Sequence, residues 1–262
     1  MNIAVINHEE PWNLLACTSL IRGLTKAYKD CSVTFFVQPE CLPILSFSKK
    51  ASVSVEEFGY ENSFDLAINL TPDVHCSVFS SSLSSNVIGF VEERGSVGFS
   101  SKEVEDYYGV VYGNRKTDKH FLQILFKFCG MTWRGEGYDL SYYPKNRTKK
   151  NSIGLSISNE GLRGFVNNNL QISGSSVSTV PNRKSLLKKM DEINRYMYII
   201  TDDLFALHAS IALRKEVEFL DTMGLPYKIE FFSKGNHYGI SNVAWSNSIT
   251  QNEHKECSRL SS

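Results

Sequence analysis

Two acids and one imidazole sit close together in "IITDDLFALHASIAL" (199–213), where an apolar, strand-like run passes straight into a helix-like one. Asp202 and Asp203 occupy the join, and His208 lies five residues beyond Asp203, about one and a half helical turns along. Aspartate at such a join serves as a helix cap or accepts from a ligand hydroxyl; its charge repels a phosphate placed directly beside it. The histidine reads two ways, as a core side chain behind a capping acid or as a ligand contact. A second pair of carboxylates, Glu9 and Glu10, lies in the loop "NHEEPWN" after the first apolar run.

The elements that must position these groups alternate in a βαβ rhythm. "NIAVIN" (2–7), "SVTFFVQ" (32–38), "FDLAINL" (64–70) and "NVIGFV" (86–91) read as strands. Helices are expected over 13–29, with Leu14, Cys17, Ile21, Leu24 and Tyr28 on one face, and over 116–130, ending at Gly130. After the polar "SYYPKNRTKKN" (141–151) the rhythm restarts. Strands are expected at 152–158, near 170–180, at 197–201 and at 217–220, and helices at 160–169, 183–196 and 204–215. The chain is therefore α/β with mainly parallel sheets, in two domains over 1–148 and 149–262. The tail after Trp245 is polar and serine-rich, and weak packing is expected there.

Composition narrows the function classes. The 262 residues are 42% hydrophobic and 21% charged, a globular balance, and Lys plus Arg equals Asp plus Glu at 28 each. No global field draws nucleic acid or an anionic membrane, so an anionic ligand must be held locally. The six cysteines show no C-x-x-C pair or zinc spacing, which points to free thiols in a reducing compartment, and no metal site is expected; His254 and Cys257 alone are too few ligands. Neither a secretory signal nor a membrane span is expected, which places the chain in the cytoplasm. P-loop, G-x-S-x-G, H-E-x-x-H and G-x-G-x-x-G fingerprints are absent.

The stretch "TDDLFALHASIALRKEVEFL" resembles the C-terminal signature of the heptosyltransferase-like glycosyltransferases of family nine, D-[ST]-G-x-x-H-x-A-x-A-L-x-K-x-V, with Asp203, His208, Ala212, Leu213, Lys215 and Val217 in register. "GLPYKIEFFSKG" (224–235), "FDLAINLTPD" (64–73) and "LACTSLIRGLTKAY" (15–28) are similar to three further segments of that family, so the resemblance spans nearly the whole chain. It implies a GT-B fold, two Rossmann-like domains facing a cleft, with a shortened C-terminal domain. It also implies inverting, metal-independent transfer of a heptose-like sugar from a nucleotide-diphosphate donor to a lipopolysaccharide or other surface-glycan acceptor, with no cofactor, no nucleic acid partner and at most peripheral contact at the inner membrane face. Asp203, Leu204, Phe205, His208 and Glu230 fall at its donor-binding positions, and Arg163 stands where a diphosphate-binding lysine loop is missing.

Two departures bear on activity. The family's catalytic G-D positions are Trp12 and Asn13 here, and an amide cannot take a proton as a carboxylate does. Glu9 or Glu10 is either the replacement base or a solvated loop charge. Leu204 and Phe205 replace the family's small residue and glycine, where close backbone approach to the nucleotide is usual. A non-catalytic relative that binds nucleotide-sugar or glycan is the alternative.

Overall fold

In the computed structural model, described residues are 1–55, 60, 63–169, 175–222, 224–229, 231–233 and 236–238. They form two compact units. The first combines Met1–Lys145 with Asn182–Asp191 and Leu225–Ile229; the second takes Asn146–Pro181, Glu192–Gly224 and the residues from Glu230 on.

The first unit runs β1 (Asn2–Asn7), α1 (Pro11–Cys17), α2 (Ser19–Ala27), β2 (Ser32–Val37), α3 (Leu42–Leu45), β3 (Ala51–Ser54), β4 (Leu66–Asn69), α4 (Val74–Leu83), β5 (Val87–Glu93), β6 (Ser96–Phe99), α5 (Lys102–Val111) and α6 (Phe121–Phe128). Its sheet has the order β3-β2-β1-β4-β5-β6, parallel except for β6, which is antiparallel to β5. This is a Rossmann-like arrangement with β1 at its centre. Ile3 to Ile6 are wholly buried, as a parallel strand covered on both faces requires.

The helix expected over 13–29 is two helices. Pro11 opens α1 at a position where a missing N–H costs nothing. At Thr18 the run breaks: the Thr18 hydroxyl donates to the Leu15 carbonyl (2.6 Å) and accepts the Asp139 N–H (3.1 Å), while Ser19 bonds back to Ala16 (2.7 Å). Such back-bonding bends helices. The helix expected over 116–130 shortens to α6, whose start is set by a reciprocal cap between His120 and Gln123. Residues 225–229 return to this unit: Thr117 donates to the Pro226 carbonyl, Phe121 to that of Lys228, and the Tyr227 ring lies 5.0 Å from that of Phe121.

The second unit contains β7 (Ser152–Ser156), α7 (Glu160–Asn169), β8 (Ser176–Thr179), the end of α8 (Leu186–Asn194), β9 (Tyr198–Thr201), α9 (Leu204–Ala212) and β10 (Glu216–Phe219). Its four-stranded sheet, β10-β9-β7-β8, is parallel throughout. Ile153, Leu155, Leu162, Val166, Ile200 and Leu220 form its core. A short antiparallel pair follows, β11 (Phe231–Ser233) with β12 (Asn236–Tyr238). The polar tail after Trp245, with His254 and Cys257, lies outside the described residues, as does Glu230. Cys17, Cys31, Cys41, Cys76 and Cys129 are free thiols. Among the described residues, no helix is long and apolar enough to cross a membrane, and no group of three or more His, Cys, Asp or Glu could hold a metal ion.

Candidate functional site

In open α/β sheets ligands gather beyond the carboxyl ends of the strands. In the first unit, β1 ends at Asn7, and the loop His8–Glu10 crosses that end before α1. The loop is tied down. The Asn7 Oδ1 accepts the Glu9 N–H (3.1 Å), Thr71 Oγ1 accepts the His8 N–H (2.8 Å), and the His8 ring lies 3.4 Å from the Cys76 sulfur. Beside it, β4 and β5 are locked where Asn69 faces Gly89. Gly89 has φ of +118°, and a Cβ there would fall 2.0 Å from the Asn69 carbonyl oxygen. The Asn69 amide meanwhile donates to the Phe90 carbonyl (2.8 Å).

The three first-unit candidates separate by environment. Glu10 is exposed. Glu9 is half-buried, and that burial raises its carboxyl above the ordinary glutamate range; the Tyr112 hydroxyl partly offsets the rise and the Glu10 charge adds to it. A carboxylate raised toward the working pH is better suited to remove a proton. Asn13 is 1% exposed and faces the interior. Its Oδ1 accepts from Asn7 Nδ2 (3.0 Å) and from the Cys17 thiol (3.2 Å), so its amide serves as an interior tie. Burial also pushes the Cys17 thiol well up.

In the second unit, Asp203 caps α9 as its position at the join suggested. Its carboxylate accepts the N–H groups of Phe205 (2.8 Å) and Ala206 (3.4 Å), and its own N–H is held by Thr201 Oγ1 (2.9 Å). Asp202 does something the sequence reading did not anticipate. Its two oxygens accept the N–H groups of Ser158 (2.8 Å) and Asn159 (3.3 Å), across from β9 to the end of β7. Asn159 in turn caps α7 by accepting the Leu162 N–H (2.9 Å). The only sequence signal was a second acid where one suffices for the cap.

The consequence is electrostatic. Amides at the carboxyl ends of β7 and β9, the kind that cradle phosphates, are held by the chain's own carboxylates, and two negative charges sit there. Arg163, half-buried on α7, pairs with Glu160 at 3.3 Å. Leu204 is partly exposed, Phe205 is 7% exposed and His208 is 1% exposed. Phe205 is thus turned out of solvent, and α9 and the start of α7 bring Asp203, Leu204, Phe205, His208 and Arg163 into one unit.

Two Rossmann-like units in series, α/β with parallel sheets, define the GT-B class of glycosyltransferase fold. No protein-family model matches the sequence, and no curated protein matches it. Solved structures do, over nearly the whole chain. The E. coli heptosyltransferase WaaC with ADP-2-deoxy-2-fluoro heptose superposes with a TM-score of 0.54 at 11% identity, covering 97% of this chain and 100% of that one. The E. coli ADP-heptose lps heptosyltransferase II gives 0.51 at 12% identity, with 97% and 100% covered. A family 9 glycosyl transferase from Veillonella parvula DSM 2008 gives 0.55 at 12% identity, with 82% and 79% covered. At these identities the likeness is one of fold.

Proposed function

We propose that this chain is a glycosyltransferase that moves a heptose-like sugar from a nucleotide-diphosphate donor to a lipopolysaccharide or other surface-glycan acceptor, with inversion and without a metal. It acts in the cytoplasm, at most peripherally at the inner membrane face. Residues 1–148 would take the acceptor and 149–262 the donor. The observation that carries this reading is the half-buried carboxyl of Glu9, raised in pKa, at the carboxyl end of the central strand of a heptosyltransferase-type fold.

In this mechanism Glu9 takes the proton of an acceptor hydroxyl as that oxygen bonds to the anomeric carbon from the face opposite the leaving group. The bond from that carbon to the diphosphate oxygen breaks, and nucleoside diphosphate departs. Arg163, with the N-terminal turn of α9 around Asp203, Leu204 and Phe205, stabilises the departing charge, and His208 supports that turn. Glu10, being exposed, supplies charge to the loop, and Glu230 binds donor hydroxyls.

A second reading rests on the capped amides. With Asp202 and Asp203 occupying the N–H groups, and an interior amide at Asn13, the chain would be a non-catalytic relative that binds nucleotide-sugar or glycan. One experiment separates the two. Thermal shift and nucleotide release are measured with ADP-, GDP- and UDP-sugars on the wild type, Glu9→Gln and Glu10→Gln. The enzyme reading expects donor-dependent stabilisation and release of nucleoside diphosphate, reduced about 100-fold or more in Glu9→Gln, as loss of a general base does, and little changed in Glu10→Gln. Stabilisation without turnover supports the binding protein, and silence with every nucleotide overturns the enzyme reading and the nucleotide-sugar form of the second.

A further inference from the structure

The second unit sorts its charges along its strands. Glu160, Asp202 and Asp203 stand beyond the carboxyl ends of β7 and β9. The opposite, amino ends are entered by three loops of the same unit: 146–151 before β7, 195–197 before β9 and 213–215 before β10. These loops carry Arg147, Lys149, Lys150, Arg195, Arg214 and Lys215, and no acid. The acids nearest along the chain to the last two loops are Glu192, which pairs with Arg195 at 3.0 Å, and Glu216 on β10. In a chain with 28 bases and 28 acids, this end of the sheet is a local excess of positive charge.

The three loops are woven together. The Lys149 N–H donates to the Arg195 carbonyl (2.8 Å), and the Asn194 amide to the Asn146 carbonyl (2.6 Å). The Thr148 hydroxyl donates to the Asn194 carbonyl (2.9 Å); the Lys215 amine reaches that carbonyl (3.0 Å) and the Thr148 oxygen (2.6 Å). The Asn151 N–H meets the Met197 sulfur at 3.3 Å. These bonds occupy the loop backbones and Lys215. They leave Arg147, Lys149, Lys150 and Arg214 exposed and, among the described residues, without an acidic partner.

The strands β7, β9 and β10 are neighbours, so the first and third loops enter the sheet two strand spacings apart, about 10 Å. Cations spread over that width suit an array of anions better than a single ion. Met197, 45% exposed, adds an apolar side chain among them, a combination that settles into a lipid headgroup layer.

We propose that the amino-end face of the second sheet, with Arg147, Lys149, Lys150 and Arg214 around Met197, docks on an anionic lipid surface. The inference rests on the membrane-side placement in the reading above and names the face that makes the contact. Attraction of this kind fades within a Debye length, about 8 Å at physiological salt, so the face lies against the headgroups.

Co-sedimentation of the full chain with vesicles tests it without donor or acceptor. Vesicles of phosphatidylcholine alone are compared with vesicles of equal parts phosphatidylcholine and phosphatidylglycerol. Arg147→Gln/Lys150→Gln removes two charges from the face, and Lys29→Gln/Lys119→Gln removes two exposed charges from the first unit as the control. Unchanged melting temperatures show that both variants stay folded. The wild type is expected to bind only the anionic vesicles and to be released by high salt. Partitioning falls about 30-fold in Arg147→Gln/Lys150→Gln, about fivefold for each basic residue at such a surface, and changes less than about twofold in the control. Equal loss in both variants overturns the inference, because net charge and not this face is then read. Wild-type binding that is absent, or indifferent to anionic lipid, also overturns it. Capture of duplex RNA in place of vesicles, with the same dependence on Arg147 and Lys150, assigns the face to nucleic acid and overturns it too. Vesicle binding as expected in a chain inactive with every donor leaves this face standing and removes the transferase reading; transfer without vesicle binding does the reverse.

Discussion

Asn13→Asp places a carboxylate at the position that the family-nine resemblance aligns with a catalytic aspartate, and the structure sets its cost. The side chain is 1% exposed, with two donors, Asn7 Nδ2 and the Cys17 thiol, on its oxygen. Full burial raises a carboxyl by about 3–5 pKa units, and the two donors oppose that rise, leaving a net of about 2 units. The new carboxyl then titrates higher in the folded chain than its unfolded value near 3.9. Below that value both states are protonated and the substitution is nearly neutral. Between the two values the folded state holds more protons, so stability falls as pH rises, and above both the loss is about 3 kcal/mol. Urea denaturation at pH 4 and pH 7, followed by tryptophan fluorescence from Trp12 and Trp133, reads the difference. Equal stability loss at both pH values would falsify the reasoning. It would mean that position 13 tolerates a charge, that its amide is no interior tie, and that a base could act from α1 itself.

Two other perturbations test the second unit. Asp203→Ala removes the acceptor of two N–H groups at the start of α9 and is expected to lower stability by about 1 kcal/mol, most of it recovered by Asp203→Asn; denaturant midpoints of the two variants check this. Lys215 donates to Thr148 Oγ1 (2.6 Å) and to the Asn194 carbonyl (3.0 Å), and burial pushes its ammonium down to about 8. Between that value and the unfolded one near 10.4 the unfolded chain binds the extra proton, so stability from this group rises with pH across the window. The melting temperature of the wild type relative to Lys215→Met should therefore climb from pH 7 to pH 10; a flat difference refutes it.

Much of the frame was readable from local sequence. β1 spans 2–7, as its unbroken apolar run indicates, and α7 covers 160–169 as its apolar spacing indicates. α9 begins one residue after the aspartate that caps it. These are short-range effects, a hydrophobic period and a cap. Several elements went unread, the edge strands because they are short and α4 because its apolar period is weak. β3 "ASVS" and β6 "SVGF" are edge strands of four residues, too short and too polar to show a period. α4 "VHCSVFSSSL" is serine-rich; Asp73 caps it through the Cys76 N–H, and Ser77, Ser80, Ser81 and Ser82 return their hydroxyls to backbone carbonyls within the helix.

By itself, the sequence determined the α/β class, the order of most strands and helices, and a four-segment likeness to a glycosyltransferase family, because apolar periodicity and spaced motifs are carried along the chain. Only the tertiary structure separated the two loop acids by environment. Glu9 and Glu10 are neighbours of the same type, and Glu9 is half-buried while Glu10 faces solvent. It also turned Asn13 inward, took Asp202 across to the end of β7, and removed Phe205 from solvent. Each of these depends on groups tens of residues away or on the depth of a packed face, and burial and long-range hydrogen bonds are what give a carboxyl its proton affinity.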